Sequence, residues 1–161
     1  MIKHLKAMTL IETIIYLALF GIIFAAIIDF SLSVAESNQY SQYKNEIEHS
    51  AIFLDEHFSA SFEKIDQIDN DNTIYDITLG KLRIFNLTDS LDYNVNNYRL
   101  KVNRNGIVNF LTNPNIIIDK FLVEKVLSPD SSISGVRITF NILSNKKSSI
   151  SKQFQTYYSI K

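Results

Sequence analysis

The chain has 161 residues, 16 Lys and Arg against 17 Asp and Glu for a net charge of −1, and neither Cys nor Trp. The missing Cys excludes a disulfide framework and thiolate metal sites, and the near-balanced charge exerts no strong pull toward nucleic acid. Once one apolar segment is set aside, about 130 residues remain, enough for one domain.

That segment comes first. From Met8 to Ile28 the only side chain charged at neutral pH is Glu12. A helix of about 20 apolar residues reaches about 30 Å, the thickness of a bilayer's hydrocarbon core. A charged side chain there costs on the order of 3 kcal/mol, so the carboxylate needs a reason to be there. Lys3, His4 and Lys6 precede the run. Lys and Arg mark the cytoplasmic side, which puts the amino terminus inside and the rest of the chain outside. An ordinary secretory signal has a shorter apolar region and a small-residue cleavage site after it. Here such a cut would fall near Phe30–Ala35, where Ser33-Val34-Ala35 is a passable site, but Glu12 speaks against that reading.

Ala7-Met8-Thr9-Leu10-Ile11-Glu12, followed by the apolar run, resembles the type III signal of type IV pilins and type II secretion pseudopilins. The resemblance implies cleavage between Ala7 and Met8 by a prepilin peptidase that also N-methylates Met8. It further implies assembly through Thr9, Leu10, Ile11 and Glu12, with Gly21 on a glycine common in the family's helices. Ala7 and Met8 depart from the usual Gly and Phe of the motif. The partners implied are the peptidase, other pilins or pseudopilins in a helical filament, and an inner-membrane assembly platform. The implied location is the cytoplasmic (inner) membrane as a single-pass protein, then an extracytoplasmic filament. The trimmed amine of Met8 is positive, and Glu12 of one subunit is expected to neutralise that of its neighbour, since opposite charges attract strongly in low dielectric.

Residues 1–7 thus read as a leader, 8–30 as a membrane and filament-core helix, 31–67 as an amphipathic extension of it, and 68–161 as a β-sheet head. The family often has a Pro near Asp29, and its absence here predicts a continuous helix. Ser31 to Ser41 is a polar stalk. Tyr40, Tyr43, Ile47, Ala51, Leu54, Phe58, Phe62 and Ile65 recur at helical spacing and predict a stripe packed on a sheet. Ile52 and Phe53 fall off the stripe and are candidate subunit contacts. Gly and Pro are absent from Asn38 to Gln67, so the helix is expected to run from Thr9 to Asp66.

The remainder alternates as strands do. Tyr75/Ile77/Leu79, Leu82/Ile84, Tyr98/Leu100/Val102 and Val136/Ile138/Phe140/Ile142 each interleave with polar residues, the pattern of an antiparallel sheet covered on one face. Asn105-Gly106, between Tyr98–Asn103 and Ile107–Leu111, predicts a hairpin, and the segment is similar to a hairpin of the J-type minor pseudopilins. Asp89-Ser90 and Ser144–Lys147 read as turns, Ile116–Leu127 as one bent strand or two short ones, Pro129–Gly135 as loop, and Gln153–Ile160 as a closing strand. The fold class expected is α+β and pilin-like: one long amino-terminal helix packed on an antiparallel β-sheet.

Candidate chemistry is sparse. Glu46-Ile47-Glu48-His49 holds one E-x-x-H where di-iron bundles need two copies and further carboxylates. Asp66, Asp69 and Asp71 at the helix exit are a weak calcium candidate that lacks the Gly and closing Glu of an EF-hand. No nucleophile turn or phosphate loop is present among the four Gly. No cofactor and no catalysis are expected. Lys146 and Lys147, with Lys152 and Lys161 beside Tyr157 and Tyr158, are a DNA-contact candidate for an alternative reading as a DNA- or surface-binding minor pilin. Lysines in a turn more often protect a sheet edge. A signal-anchored extracytoplasmic sensor or binding domain is the reading outside the family.

Overall fold

The structure is a computed structural model that describes residues 9–86, 88–129, 133–147 and 149–159. Helix α1 spans Leu10–Phe62 without a break, 53 residues. Strands follow as β1 (Gln67–Ile68), β2 (Lys81–Phe85), β3 (Ser90–Asn96), β4 (Arg99–Arg104), β5 (Ile107–Phe110), β6 (Ile116–Leu127), β7 (Ile133–Ser144) and β8 (Ser151–Ser159). The architecture is α+β and pilin-like, a long apolar amino-terminal helix followed by antiparallel strands. The chain divides into two compact units, Met1–Ser41 and Gln42–Lys161, and α1 contributes to both.

In the second unit the strands form two sheets rather than the single one expected, β1-β2-β3-β4-β5 and β6-β7-β8, and every ladder is antiparallel. The helical stripe packs as the spacing requires. Ile47, Ala51, Leu54, Phe58 and Phe62 are buried, and Tyr43 packs beside them. Tyr40, also placed on the stripe by spacing, is exposed. Phe58 is the hub: its ring lies 4.6 Å from Tyr93, 5.4 Å from Phe140, 6.0 Å from Tyr158 and 6.3 Å from Phe121. The helix stops at Phe62, short of Asp66. There the chain turns, and the Asp66 amide donates to the Phe85 carbonyl, which starts the β1–β2 pairing.

One local expectation fails and one strand goes unforeseen, both for legible reasons. Tyr75, Ile77 and Leu79 alternate but form no strand. Asp76 sits at φ 60, in the left-handed region, and the amides of Ile74, Asp76 and Gly80 donate to Lys81, Val123 and Phe121. A segment bonded to two different strands has no single ladder to join. Conversely, the residues after the expected Asp89-Ser90 turn form β3, with Leu91 and Tyr93 buried between β2 and β4. Its outward Asp92, Asn94 and Asn96 have low strand propensity and hid it. In the sheet Asp92 pairs with Lys81 at 2.8 Å, and cross-strand pairing outweighs that intrinsic deficit.

The Ile116–Leu127 ambiguity resolves as one bent strand. The register to β7 slips between Ile118 and Lys120, leaving Asp119 as a bulge. The slip lets Ile118 and Phe121, three residues apart, both face the core. The loop expected to reach Gly135 ends earlier, since β7 begins at Ile133. Asn105 (φ 52) and Gly106 (φ 93) make the two-residue turn between β4 and β5, with Arg104 opposite Ile107. Both residues have positive φ, which a right-twisted two-residue hairpin demands. Asn97 (φ 49) and Tyr98 (φ 59) make a second such turn, so Tyr98 leaves the strand assigned to it and is exposed.

Gly135 is fixed by close approach. A Cβ there would land on the Tyr158 carbonyl oxygen and 2.8 Å from the Tyr157 ring. Because the obstacle is backbone of the paired strand, Gly135→Ala should destabilise the head by about 1–3 kcal/mol, read as a lower urea midpoint. An unchanged midpoint would mean that β7 and β8 are not paired in this register.

Candidate functional site

The amino-terminal helix is built from its first turn upward. Thr9 precedes the first helical residue and caps it. The Thr9 amide donates to Glu12 Oε2 at 2.8 Å, the Thr9 hydroxyl donates to the same oxygen at 3.1 Å, and the Glu12 amide donates to Thr9 Oγ1 at 3.3 Å. This is a reciprocal capping box: two amides with no helical partner are satisfied by side chains three residues apart. The T-x-x-E spacing that signals it stands in Thr9-Leu10-Ile11-Glu12, beside the partner on another chain expected for Glu12. Both bonds fall on Oε2, and among the described residues Oε1 accepts none. The carboxylate is exposed. The cap therefore accounts for the helix start and leaves one carboxylate oxygen and the charge open to solvent or to a second chain. A negative charge here also lies at the positive end of the helix dipole.

From Ile14 to Ile28 the helix is apolar on every side and exposed on every side. Leu10 is 79% exposed, Leu17 72% and Phe30 71%, and Phe20 stacks on Phe24 only along the helix, centroids 6.1 Å apart. This single helix is long and apolar enough to cross a membrane, and none of its most apolar window is buried by the chain itself. Leu10 and Ile11 lie on this exposed surface. Gly21 faces open space: nothing lies within 4 Å of where its Cβ would stand. Gly inside a helix costs about 1 kcal/mol relative to Ala, and no packing within the described residues explains it. Ala7 and Met8, the proposed cleavage and methylation positions, lie outside the described residues.

In the head, Ile52 is 56% exposed and Phe53 48%. They point to different flanks of α1. Phe53 lies against the His57 ring, centroids 6.1 Å apart, on the side of β3. Ile52 lies toward β8, where Tyr158 donates to Asp55 at 2.7 Å and Lys152 donates to Glu48 at 3.1 Å. Asp69 is committed to its own turn. Its carboxylate accepts from the Asn72 side chain at 2.8 Å and from the amides of Asp71 and Asn72 at 3.2 Å, with Arg83 at 3.6 Å. These bonds, led by that to the Asn72 side chain, hold its pKa below the usual carboxylate value. Among the described residues no three His or carboxylate side chains gather as metal ligands, so Asp66, Asp69 and Asp71 do not converge. The single E-x-x-H of α1 likewise gains no further ligands.

The basic and aromatic residues of the DNA-contact candidate are dispersed. Lys146 lies over the Tyr43 ring at 5.8 Å, and Lys147 follows it in the turn. Lys152 is engaged with Glu48, while Tyr157 is about 17 Å further along β8 at strand spacing. Tyr158 is buried, its hydroxyl on Asp55. Burial, reinforced by that carboxylate, pushes the phenol's pKa well up, so it stays a neutral donor. Lys161 lies outside the described residues.

A cluster missed in the sequence joins α1 to β3. The Tyr93 hydroxyl lies 2.9 Å from Ser61 Oγ and 3.2 Å from His57 Nε2, and burial raises the Tyr93 pKa to about 12. Burial and then the Arg104 charge lower the pKa of His57 below 6.5. The folded head therefore binds this proton less readily than the unfolded chain. The corresponding stability is present above pH 6.5 and is lost as the pH falls through the folded value. The urea midpoint should drop between pH 7.5 and 5.5, and His57→Gln should flatten that part of the profile. An identical slope in the variant would remove His57 as its source. Nothing in the spacing of His57, Ser61 and Tyr93 announces the cluster, because the contact spans 36 residues between His57 and Tyr93.

Compared with known proteins, the chain matches no family model, no curated protein and no solved structure.

Proposed function

We propose that the chain is a structural subunit, a minor pilin or pseudopilin, of a type IV pilus or type II secretion-type filament. It is inserted in the cytoplasmic membrane with its amino terminus inside and its head outside. It is trimmed between Ala7 and Met8 by a prepilin peptidase, methylated at Met8, and built into the filament by an inner-membrane platform. One observation carries this reading: a solvent-facing carboxylate in the first turn of a helix whose following run, Ile14 to Ile28, is apolar and uncovered on all sides. In a bilayer that charge needs a cation. The trimmed amine of a neighbouring Met8 is a cation of the right depth. The open space at Gly21 supports a close neighbour along the same rod.

The DNA-binding alternative has less support, since its lysines and tyrosines stand apart. The tethered-sensor alternative leaves the placement of Glu12 to capping alone. No catalytic role is proposed.

Mass spectrometry of the native protein tests the reading. The expected mass lacks Met1–Ala7 and carries one methyl group on Met8. An intact leader, or a start near Glu36, would overturn it.

A further inference from the structure

Among the described residues, two uncovered surfaces of the head are complementary. The first is the edge of the five-stranded sheet. β5 is exposed along its whole length, with Ile107 68%, Val108 49% and Phe110 51% exposed. An apolar edge strand with free backbone groups on one side is a template for contact with another chain. From Tyr98 to Leu111 the hairpin carries Arg99, Lys101 and Arg104 and no acid. Lys101 lies opposite Phe110, on the same sheet face as Val108. Arg99 is held over the Phe110 ring at 4.0 Å and donates to the Thr112 carbonyl, while Arg104 pairs with Asp89 at 3.0 Å.

The second is a groove of about 340 Å³ between α1 and the edge strand β8, with Ala51, Ile52, Phe140 and Phe154 in its walls and Asp55 and Glu56 on its rim. This part of α1 is acidic. Between Lys44 and its end at Phe62 the helix bears Glu46, Glu48, Asp55 and Glu56 with no Lys or Arg, and Glu48 pairs with Lys152 of β8. A hairpin of the same chain cannot fill its own groove. Asp55 is bonded from β8 and His57 to β3, and the two residues are about 200° apart round the helix. Tyr93 of β3 meets His57, and β3 pairs with β4 of the hairpin, so the hairpin belongs to the opposite flank of α1.

We propose that the β4–β5 hairpin of one copy docks in the α1–β8 groove of a second copy, its apolar side chains entering the groove and its basic residues facing the acidic rim. The contact rests on the filament reading and names the head surfaces it uses. Because the two surfaces differ, the contact is heterologous and generates an open helix rather than a closed pair. It also gives the exposed Ile52 a role.

The absence of Cys makes the test clean, since this chain contributes no background thiol. Full-length Ile52→Cys and Val108→Cys variants, tagged to different sizes, are produced together in the native host and oxidised. The expected product is the mixed 52–108 dimer, in excess over either same-variant dimer. Glu56→Lys should reduce it about tenfold, because like charges then meet, and Lys101→Glu in the partner should restore it. Processed chain that enters filaments without the mixed dimer overturns the contact and leaves the filament reading standing. A dominant 108–108 or 52–52 product overturns the heterologous arrangement. Chain that keeps its leader and stays out of filaments overturns the filament reading, and this contact with it.

Discussion

Glu12→Gln should enter the membrane and be trimmed normally, yet fail to join filaments. The substitution separates two roles that the structure superimposes on one carboxylate. Gln retains the reciprocal bond of a capping box, because its amide oxygen can accept from the Thr9 amide as Glu12 Oε2 does at 2.8 Å. What it lacks is charge. An ion pair at about 4 Å is worth on the order of 4 kcal/mol at an effective dielectric of 20, roughly a thousandfold in occupancy. Thr9→Val makes the reverse cut, removing the hydroxyl side of the cap at a cost of about 1 kcal/mol and leaving the charge. That variant should assemble with at most a modest defect. The measurement is the amount of each variant in sheared filaments relative to the membrane fraction. Normal incorporation of Glu12→Gln would reduce Glu12 to a helix cap and remove the proposed pairing with a neighbour's amine.

The second large effect is in the head. Phe58→Ala should cost about 3–5 kcal/mol, the range for emptying a fully buried aromatic site. Phe58 is fully buried, and Tyr93, Phe121, Phe140 and Tyr158 all pack on its ring, so truncation opens a cavity that both sheets and the helix share. Against a total of about 5–15 kcal/mol for an ordinary domain, this leaves the head marginal. Urea titration of the full chain in detergent should show a markedly lower midpoint. Ile52→Ala and Phe53→Ala, on exposed positions of the same helix, should stay within about 0.5 kcal/mol of the parent. A Phe58 variant as stable as those two would mean that the stripe does not pack as described.

The helix and its stripe were legible because a 3.6-residue period and an unbroken apolar run are local properties, and Ile47, Ala51, Leu54, Phe58 and Phe62 are buried where that period puts them. The Asn105-Gly106 turn was legible for the same reason, since positive φ at two successive residues selects its residue types. The strand assignments erred where local pattern and pairing disagree. Tyr75 to Leu79 alternates without a partner strand to join, and beyond the Asp89-Ser90 turn Leu91–Asn96 is too polar to read as a strand until β2 and β4 flank it.

By itself, the sequence determined an uncut helix that opens on a threonine and carries one acid in its apolar run, and a head rich in period-two strands. The tertiary structure alone decided that the strands split into two sheets, that Asp119 bulges so Ile118 and Phe121 share the core, and that His57, Ser61 and Tyr93 meet. Only the folded head places a basic apolar edge and an acidic apolar groove on opposite flanks of one helix. The physical reason is range. Backbone period and turn chemistry act over a few residues, whereas register, bulges and side-chain clusters are set by contacts between segments far apart in the chain, which no local spacing encodes.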